Sequence, residues 1–189
     1  MVREILVWPH PVLKEKAQPV HVVDDSTRAL IADMFESMHA ADGIGLAAPQ
    51  IGVLQQVIVL DTTPREPESK AIAMINPEIV ESDGEIVYKE GCLSVPGEAE
   101  DVERSAKVTV KYLDEQGQPQ TLTTDGLLAI AIQHETDHLK GVLFVDHISV
   151  LKRELIRKRM KKLKNSIEAD KPGAAKSKKR STESATRSS

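Results

Sequence analysis

The sequence carries one cysteine, Cys92. An intramolecular disulfide is therefore excluded, and such usage fits a reducing compartment. Long apolar runs are missing as well. No window approaches the roughly 18 apolar residues of a membrane span. The opening MVREILVWPHPVL has too short an apolar stretch for a secretory signal and no small-residue cleavage site. No internal repeat is present. These absences predict a soluble, cytoplasmic protein with no membrane partner. Its 189 residues are 40% hydrophobic and 29% charged, which suits one globular domain of about 150 residues plus an appendage.

The formal net charge of -4 hides a division, because residues 151–189 hold 14 Lys+Arg against 4 Asp+Glu while the first 150 residues balance at -14. Such asymmetry suggests that the basic end meets an anionic partner. For residues 165–189 alone a solvated tail is expected.

Punctuation and periodicity divide the chain. The stretch 24–43 reads as a helix: Asp24, Asp25 or Ser26 caps it, Leu30, Met34, Phe35 and Met38 share one face, and Gly43 ends it. QQVIVLD (55–61) reads as a strand, followed by the turn-rich TTPREPESK. AIAMINPEIV is a further strand, broken at Pro77. EIVYKEGCLSVPG begins as a strand and passes into a Gly/Pro-bounded loop holding Cys92. AKVTVKYLDEQGQPQTLTT alternates as a β-hairpin does, with Val108, Val110 and Tyr112 pointing one way. A helix then runs from a cap at Thr124 or Asp125 to Gly141, and a last one spans roughly 149–164. From Asn165 onward almost nothing can be buried, which predicts disorder. Strands first and the key helix late, without βαβ alternation, argue for an α+β fold.

The segment IQHETDHLKG (132–141) poses a chemical question, because it places polar groups on a helix whose preceding turns are apolar. Buried polar groups need partners, and a metal ion is a natural one. His134 and His138 are four residues apart, about 6 Å of rise and some 40° of rotation on a helix, so both imidazoles share a face. Glu135 lies about 100° around from His134, poorly placed as a ligand but able to reach a ligand-bound water. A catalytic metal takes three protein ligands and leaves one position open. Phe144 stands where one protease class has a third histidine. His147 falls three residues too late for that pattern and reads as an ordinary loop residue; Glu154 reads as half of a surface ion pair. Cys92, a lone thiol in a polar loop, is the better third ligand. The rival role for it is a nucleophile with His134 as base.

Three stretches, GIGLAAPQ (43–50), EGCLS (90–94) and QHETDHLKG (133–141), resemble in order the three signature motifs of the peptide deformylases, GxGxAAxQ, EGCLS and QHExDHLxG. The resemblance to the bacterial type runs from about residue 3 to 164. It implies a catalytic domain over 1–164 with a disordered basic, Ser-rich tail over 165–189. The fold expected is α+β, antiparallel sheets packed around a central helix carrying HExxH, with an N-terminal and a C-terminal helix. The implied reaction removes the formyl group from the N-formylmethionine of nascent peptides, releasing formate. The implied cofactor is one Fe(II) per chain, replaceable by nickel, cobalt or zinc, on Cys92, His134 and His138. Glu135 corresponds to the general acid/base as water activated by the metal attacks the formyl carbon. Gln50 and the Leu93 N–H correspond to the groups that receive the formyl oxygen. Ile44, Gly45, Gly91 and Glu90 correspond to the substrate-binding positions. Asp137 is expected to orient a ligand or neighbouring backbone or else to form a surface contact, Arg104 to pair with Glu90 or with the surroundings of Glu135, and Trp8 to pack in the core.

Residues 152–164 carry eight Lys+Arg against one Glu. The resemblance implies that this helix contacts the ribosome, where binding to rRNA would depend strongly on salt. Two further readings compete: an HExxH metalloprotease cleaving internal peptide bonds without need of Cys92, and a basic RNA-binding module with a structural metal.

Overall fold

Helix α1 begins where the capping signal predicts. It spans Asp25–Ala40, and Asp24 Oδ1 accepts the Thr27 amide at 3.0 Å, satisfying one of the donors a helix start leaves open. Met34 and Met38 are fully buried, with Leu30 and Phe35 packed against the same cluster. The computed structural model describes residues 1–63 and 71–170. Residues 64–70 of the expected turn-rich stretch and 171–189 of the expected tail lie outside the described residues.

Seven strands follow: β1 (Gly45–Ala47), β2 (Val57–Leu60), β3 (Ile72–Asp83), β4 (Ile86–Cys92), β5 (Val95–Arg104), β6 (Lys107–Leu113) and β7 (Pro119–Asp125). Five of them form an antiparallel sheet in the order β1-β2-β3-β6-β7, while β4 and β5 pair as a separate hairpin. Helix α2 (Gly126–Leu139) and helix α3 (Val150–Asp170) complete the chain. The architecture is the expected α+β one.

The VIVL run of β2 explains how the sheet is held. Successive side chains leave a strand on opposite faces. Ile58 and Leu60 therefore pack with Ala129 and Ile132 of α2, whereas Val57 and Val59 pack with Ile31, Met34 and Met38 of α1. Both faces are covered, so this strand reads as continuously apolar. Val108 and Val110 of β6 add to the α2 side, with Tyr112 against them. A third cluster joins the β4–β5 hairpin to α3 through Val95, Val102, Ile156 and Met160, with Trp8 and Phe144 between. Helix α2 is thus wedged between sheet and hairpin, and Gly141, at φ 73°, ends it in the left-handed conformation that glycine adopts freely.

Three expectations change. The strand around Pro77 is unbroken: β3 passes through it, with a register shift between Ile75 and Glu78. Asn76 takes φ 52° there, and a bulge removes the need for the N–H that proline lacks. The loop expected around Cys92 shrinks to a turn at Leu93-Ser94, since Cys92 ends β4 and Val95 starts β5. Helix α3 runs on past residue 164 to Asp170.

Candidate active site

Three elements deliver the predicted residues to one place. The last residue of β4 is Cys92, the C-terminal half of α2 carries His134, Glu135 and His138, and the 3₁₀ turn Ala48–Ile51 after β1 carries Gln50. All of the predicted site residues except His138 line one cavity of about 710 Å³. His138 lies just behind that wall, its Nε2 3.3 Å from Cys92 Sγ.

The ligand atoms of Cys92, His134 and His138 all fall within 4.8 Å of one another. The two imidazole rings stand edge to face with centroids 5.0 Å apart, as the four-residue spacing predicts. Desolvating a thiol and two imidazoles against each other is costly unless something binds them. One sulfur and two nitrogens suit a borderline or soft divalent transition metal with a position left open, so these residues fit such an ion.

Neighbouring groups orient the set. Glu90, expected among the substrate-binding positions, lines the cavity, but its carboxylate is committed elsewhere. Its Oε2 lies 2.8 Å from His134 Nδ1, which leaves the other ring nitrogen as the available donor. Arg104 Nε and Nη2 donate to Glu90 Oε1 and Oε2 at 2.6 and 3.0 Å, the first of the two pairings expected for it. Arg104 Nη1 reaches Asp137 Oδ2 at 2.6 Å, and His147 Nε2 lies 2.8 Å from that same oxygen. His147 is therefore joined to the site rather than idle in its loop. Phe144, at the position of a third histidine in one protease class, stacks on the His134 ring with centroids 6.4 Å apart.

Electrostatics separates the roles. Burial pushes the Glu135 carboxyl up to about 7, and its buried Oε2 has no hydrogen-bond partner among the described residues. Burial would also raise Glu90, but hydrogen bonds from His134 and Arg104 outweigh it and hold the carboxyl at about 2. His138 is driven well below the usual histidine range by burial and by the positive charges of His134 and Arg104. For His134 burial acts downward, yet hydrogen bonds with Cys92 and Glu90 raise it.

Gln50 is 1% exposed. Its Oε1 accepts the Ala47 amide at 2.7 Å, and its Nε2 donates to Ser94 Oγ at 3.2 Å and Cys92 Sγ at 3.5 Å. The amide N–H side is thereby aimed at the thiol. Ser94 is an unexpected member of the site; its place in EGCLS two residues after Cys92 is the signal the sequence offers. An apolar wall from Leu127, Ile130 and Ala131 is a further unexpected feature, its one signal in the sequence being Ile130, one helical turn before His134 on the same face.

The family model described as polypeptide deformylase matches residues 2–154. Peptide deformylase 2 of Xanthomonas campestris pv. campestris is 52% identical over 166 residues, covering 86% of this chain and 96% of that protein. The peptide deformylase of Phenylobacterium zucineum is 54% identical over 162 residues, covering 85% and 96%. Among solved structures, a peptide deformylase from Legionella pneumophila superposes with a TM-score of 0.84 at 48% identity, covering 91% of this chain and all of that one. The Ehrlichia chaffeensis peptide deformylase in complex with actinonin gives 0.82 at 39% identity, covering 86% and 97%.

Proposed function

The chain belongs to the polypeptide deformylase family, and on that premise we propose how its residues divide the reaction. It is a metal-dependent hydrolase that removes the N-terminal formyl group of newly made polypeptides. The protease reading is set aside, because the family match covers the cysteine turn as well as the helix. The observation that carries the division of roles is the convergence of Cys92, His134 and His138 within 4.8 Å, beside a buried glutamate and an amide.

Cys92, His134 and His138 would hold the ion, and when bound it supplies a Lewis acid that makes water nucleophilic near neutral pH. We assign Fe(II), one per chain, with nickel, cobalt or zinc as substitutes, because a thiolate among the donors favours a softer ion. Glu90 holds His134 in orientation and is not assigned to the substrate.

Glu135 takes a proton from the attacking water and returns it to the amine nitrogen as the C–N bond of the formamide breaks. Glu135 is buried beside the three donors with its Oε2 free of protein hydrogen bonds among the described residues, and a carboxylate so placed can serve as base first and acid second. The Gln50 amide and the Leu93 N–H, on the turn after Cys92, receive the oxyanion that forms on the formyl oxygen; losing one such donor typically costs on the order of 10²–10³ in rate. Strand β1 is an edge of its sheet, so Ile44 and Gly45 can pair with an extended peptide on one side and Gly91 on the other, a mode tolerant of sequence. The wall of Leu127, Ile130 and Ala131 accepts the methionine side chain.

A cytoplasmic location and a ribosomal contact belong to the same reading. Helix α3 offers Lys158, Lys161 and Lys162, which enter no ion pair among the described residues, and a basic helix of this kind suits a phosphate-rich partner. Residues 1–164 are taken as the catalytic domain.

The test is formate release from an N-formyl-Met tripeptide by anaerobic, Fe(II)- or Ni(II)-loaded protein, beside Glu135→Gln. Formate from the wild type and a loss of at least 10² in the variant are expected. Undiminished turnover in the variant would remove Glu135 from its role.

A further inference from the structure

We propose that Gly45 is a positioning residue for the proton carrier: its missing side chain is the seat in which the Glu135 carboxylate lies. This inference rests on the assignment of Glu135 above.

Most glycines here answer a backbone need. Gly52, Gly84, Gly97, Gly117, Gly126 and Gly141 all have positive φ. Gly45 is not among them. It is buried in β1, in register with Leu60 of β2, in backbone that any residue adopts. Space is what it supplies. A Cβ built at residue 45 would lie 2.9 Å from Glu135 Cδ and 3.0 Å from its Cγ, and nearer still to Oε1. By contrast, a Cβ at Gly91 would meet only the Glu98 carbonyl oxygen at 3.5 Å, an ordinary contact.

Something must yield when a methyl group enters, and the surroundings decide what. Residue 45 is tied into the sheet through β2. Helix α2 is anchored through Ile132 and Leu139 in the sheet-side core. The carboxylate is the free end of a side chain, and its buried Oε2 has no hydrogen-bond partner among the described residues. Close approach to residue 45 limits where it can sit. An added methyl therefore moves the carboxylate and leaves the fold. Displacing a catalytic group by about 1 Å can cost on the order of 10² in rate. Gly45 thus separates chemistry from stability in a way a merely structural glycine would not.

The experiment compares wild type, Glu135→Gln, G45A, Glu135→Asp and the double variant G45A/E135D, all metal-loaded, on an N-formyl-Met tripeptide. In G45A, kcat is expected to fall on the order of 10²-fold with KM held within about threefold and the melting curve kept. Aspartate is one methylene shorter and vacates the seat. The cost of adding G45A to Glu135→Asp should therefore shrink below about tenfold, the non-additivity of groups in contact. An equal cost in both backgrounds, a rise in KM at unchanged kcat, or an unchanged kcat in G45A overturns the proposal while leaving Glu135's role intact. If Glu135→Gln keeps wild-type turnover, the role itself fails and the seat with it. Should G45A fail to fold, the double variant decides: recovery of the Glu135→Asp melting curve supports crowding at the carboxylate, and no recovery overturns it.

Discussion

Arg104 and Glu90 meet in parallel, Nε to Oε1 at 2.6 Å and Nη2 to Oε2 at 3.0 Å, with only 7% and 3% of their surfaces exposed. Bidentate geometry of this kind fixes a carboxylate in direction as well as in place. Because the same carboxylate reaches His134 Nδ1 at 2.8 Å, the pair acts from outside on an imidazole proposed to hold the metal. Truncating one partner would leave the other charge buried alone, and breaking such a pair costs about 3–5 kcal/mol.

Arg104→Met should therefore lower stability by an amount in that range, read from denaturant unfolding. Adding Glu90→Leu should return part of it, since it removes the stranded carboxylate while Asp137 and His134 Nδ1 stay without these partners. Metal affinity should not return: without its acceptor His134 loses orientation, and such changes cost about 10–100-fold. Chelator competition on the double variant measures this. Wild-type affinity there would mean that Glu90 has no part in holding the ligand.

Glu135 makes metal-free stability depend on pH. Its carboxyl rises from an ordinary 4.5 to about 7 on folding, chiefly through burial. The folded state thus holds this proton more tightly than the unfolded chain, so the group's contribution is complete below about 4.5 and is lost as pH rises through 7. The shift corresponds to a few kcal/mol. Metal-free Glu135→Gln should be more stable than metal-free wild type at pH 8 by an amount of that order, and the gap should close toward pH 4.5. A gap that stayed constant between these limits would show that Glu135 does not titrate there.

Local signals carried much of this molecule. Asp24 announced α1, the four-residue spacing of His134 and His138 announced a shared helical face, and the alternation of Val108 and Val110 announced β6. Glu154 forms the surface pair expected of it, with Arg157 at 3.5 Å, and Trp8 is buried. The features that stayed hidden depend on contacts between distant segments. Glu90 meets His134 across 44 positions and Arg104 meets Asp137 across 33, so neither role is legible before β4, β5 and α2 are assembled. His147 offered no periodicity and no motif, and only the fold brings it to Asp137.

Asn76 illustrates the same dependence and can be tested on it. It takes φ 52°, and its side chain clips Val20 at both ends, accepting from N at 2.8 Å and donating to O at 2.8 Å. Asn76→Ala loses both hydrogen bonds and keeps a Cβ in left-handed backbone; about 2–3 kcal/mol is expected. Asn76→Gly loses the bonds without the strain and should cost less. Equal destabilisation by the two, in urea unfolding, would show that the backbone conformation carries no strain there.

Helix α3 has two faces with separable consequences. Ile156 is fully buried among Trp8, Leu13 and Phe144, so Ile156→Ala should cost about 2–5 kcal/mol. Arg159 pairs with Glu98 at 2.5 Å but is 54% exposed, and Arg159→Gln should leave the unfolding midpoint nearly unchanged. Deleting the helix would uncover the third core cluster and confuse folding with docking. Reversing Lys158, Lys161 and Lys162 to glutamate avoids that, since all three are exposed. The triple variant should keep its melting temperature and its turnover of a formylated tripeptide, a substrate too short to need the helix. Its cosedimentation with ribosomes should weaken at low salt, and the slope of log K against log salt should fall by about 2, near 0.7 per lost phosphate contact. Unchanged cosedimentation and slope would place any ribosomal contact elsewhere on the molecule, leaving the charge of this face to solubility alone.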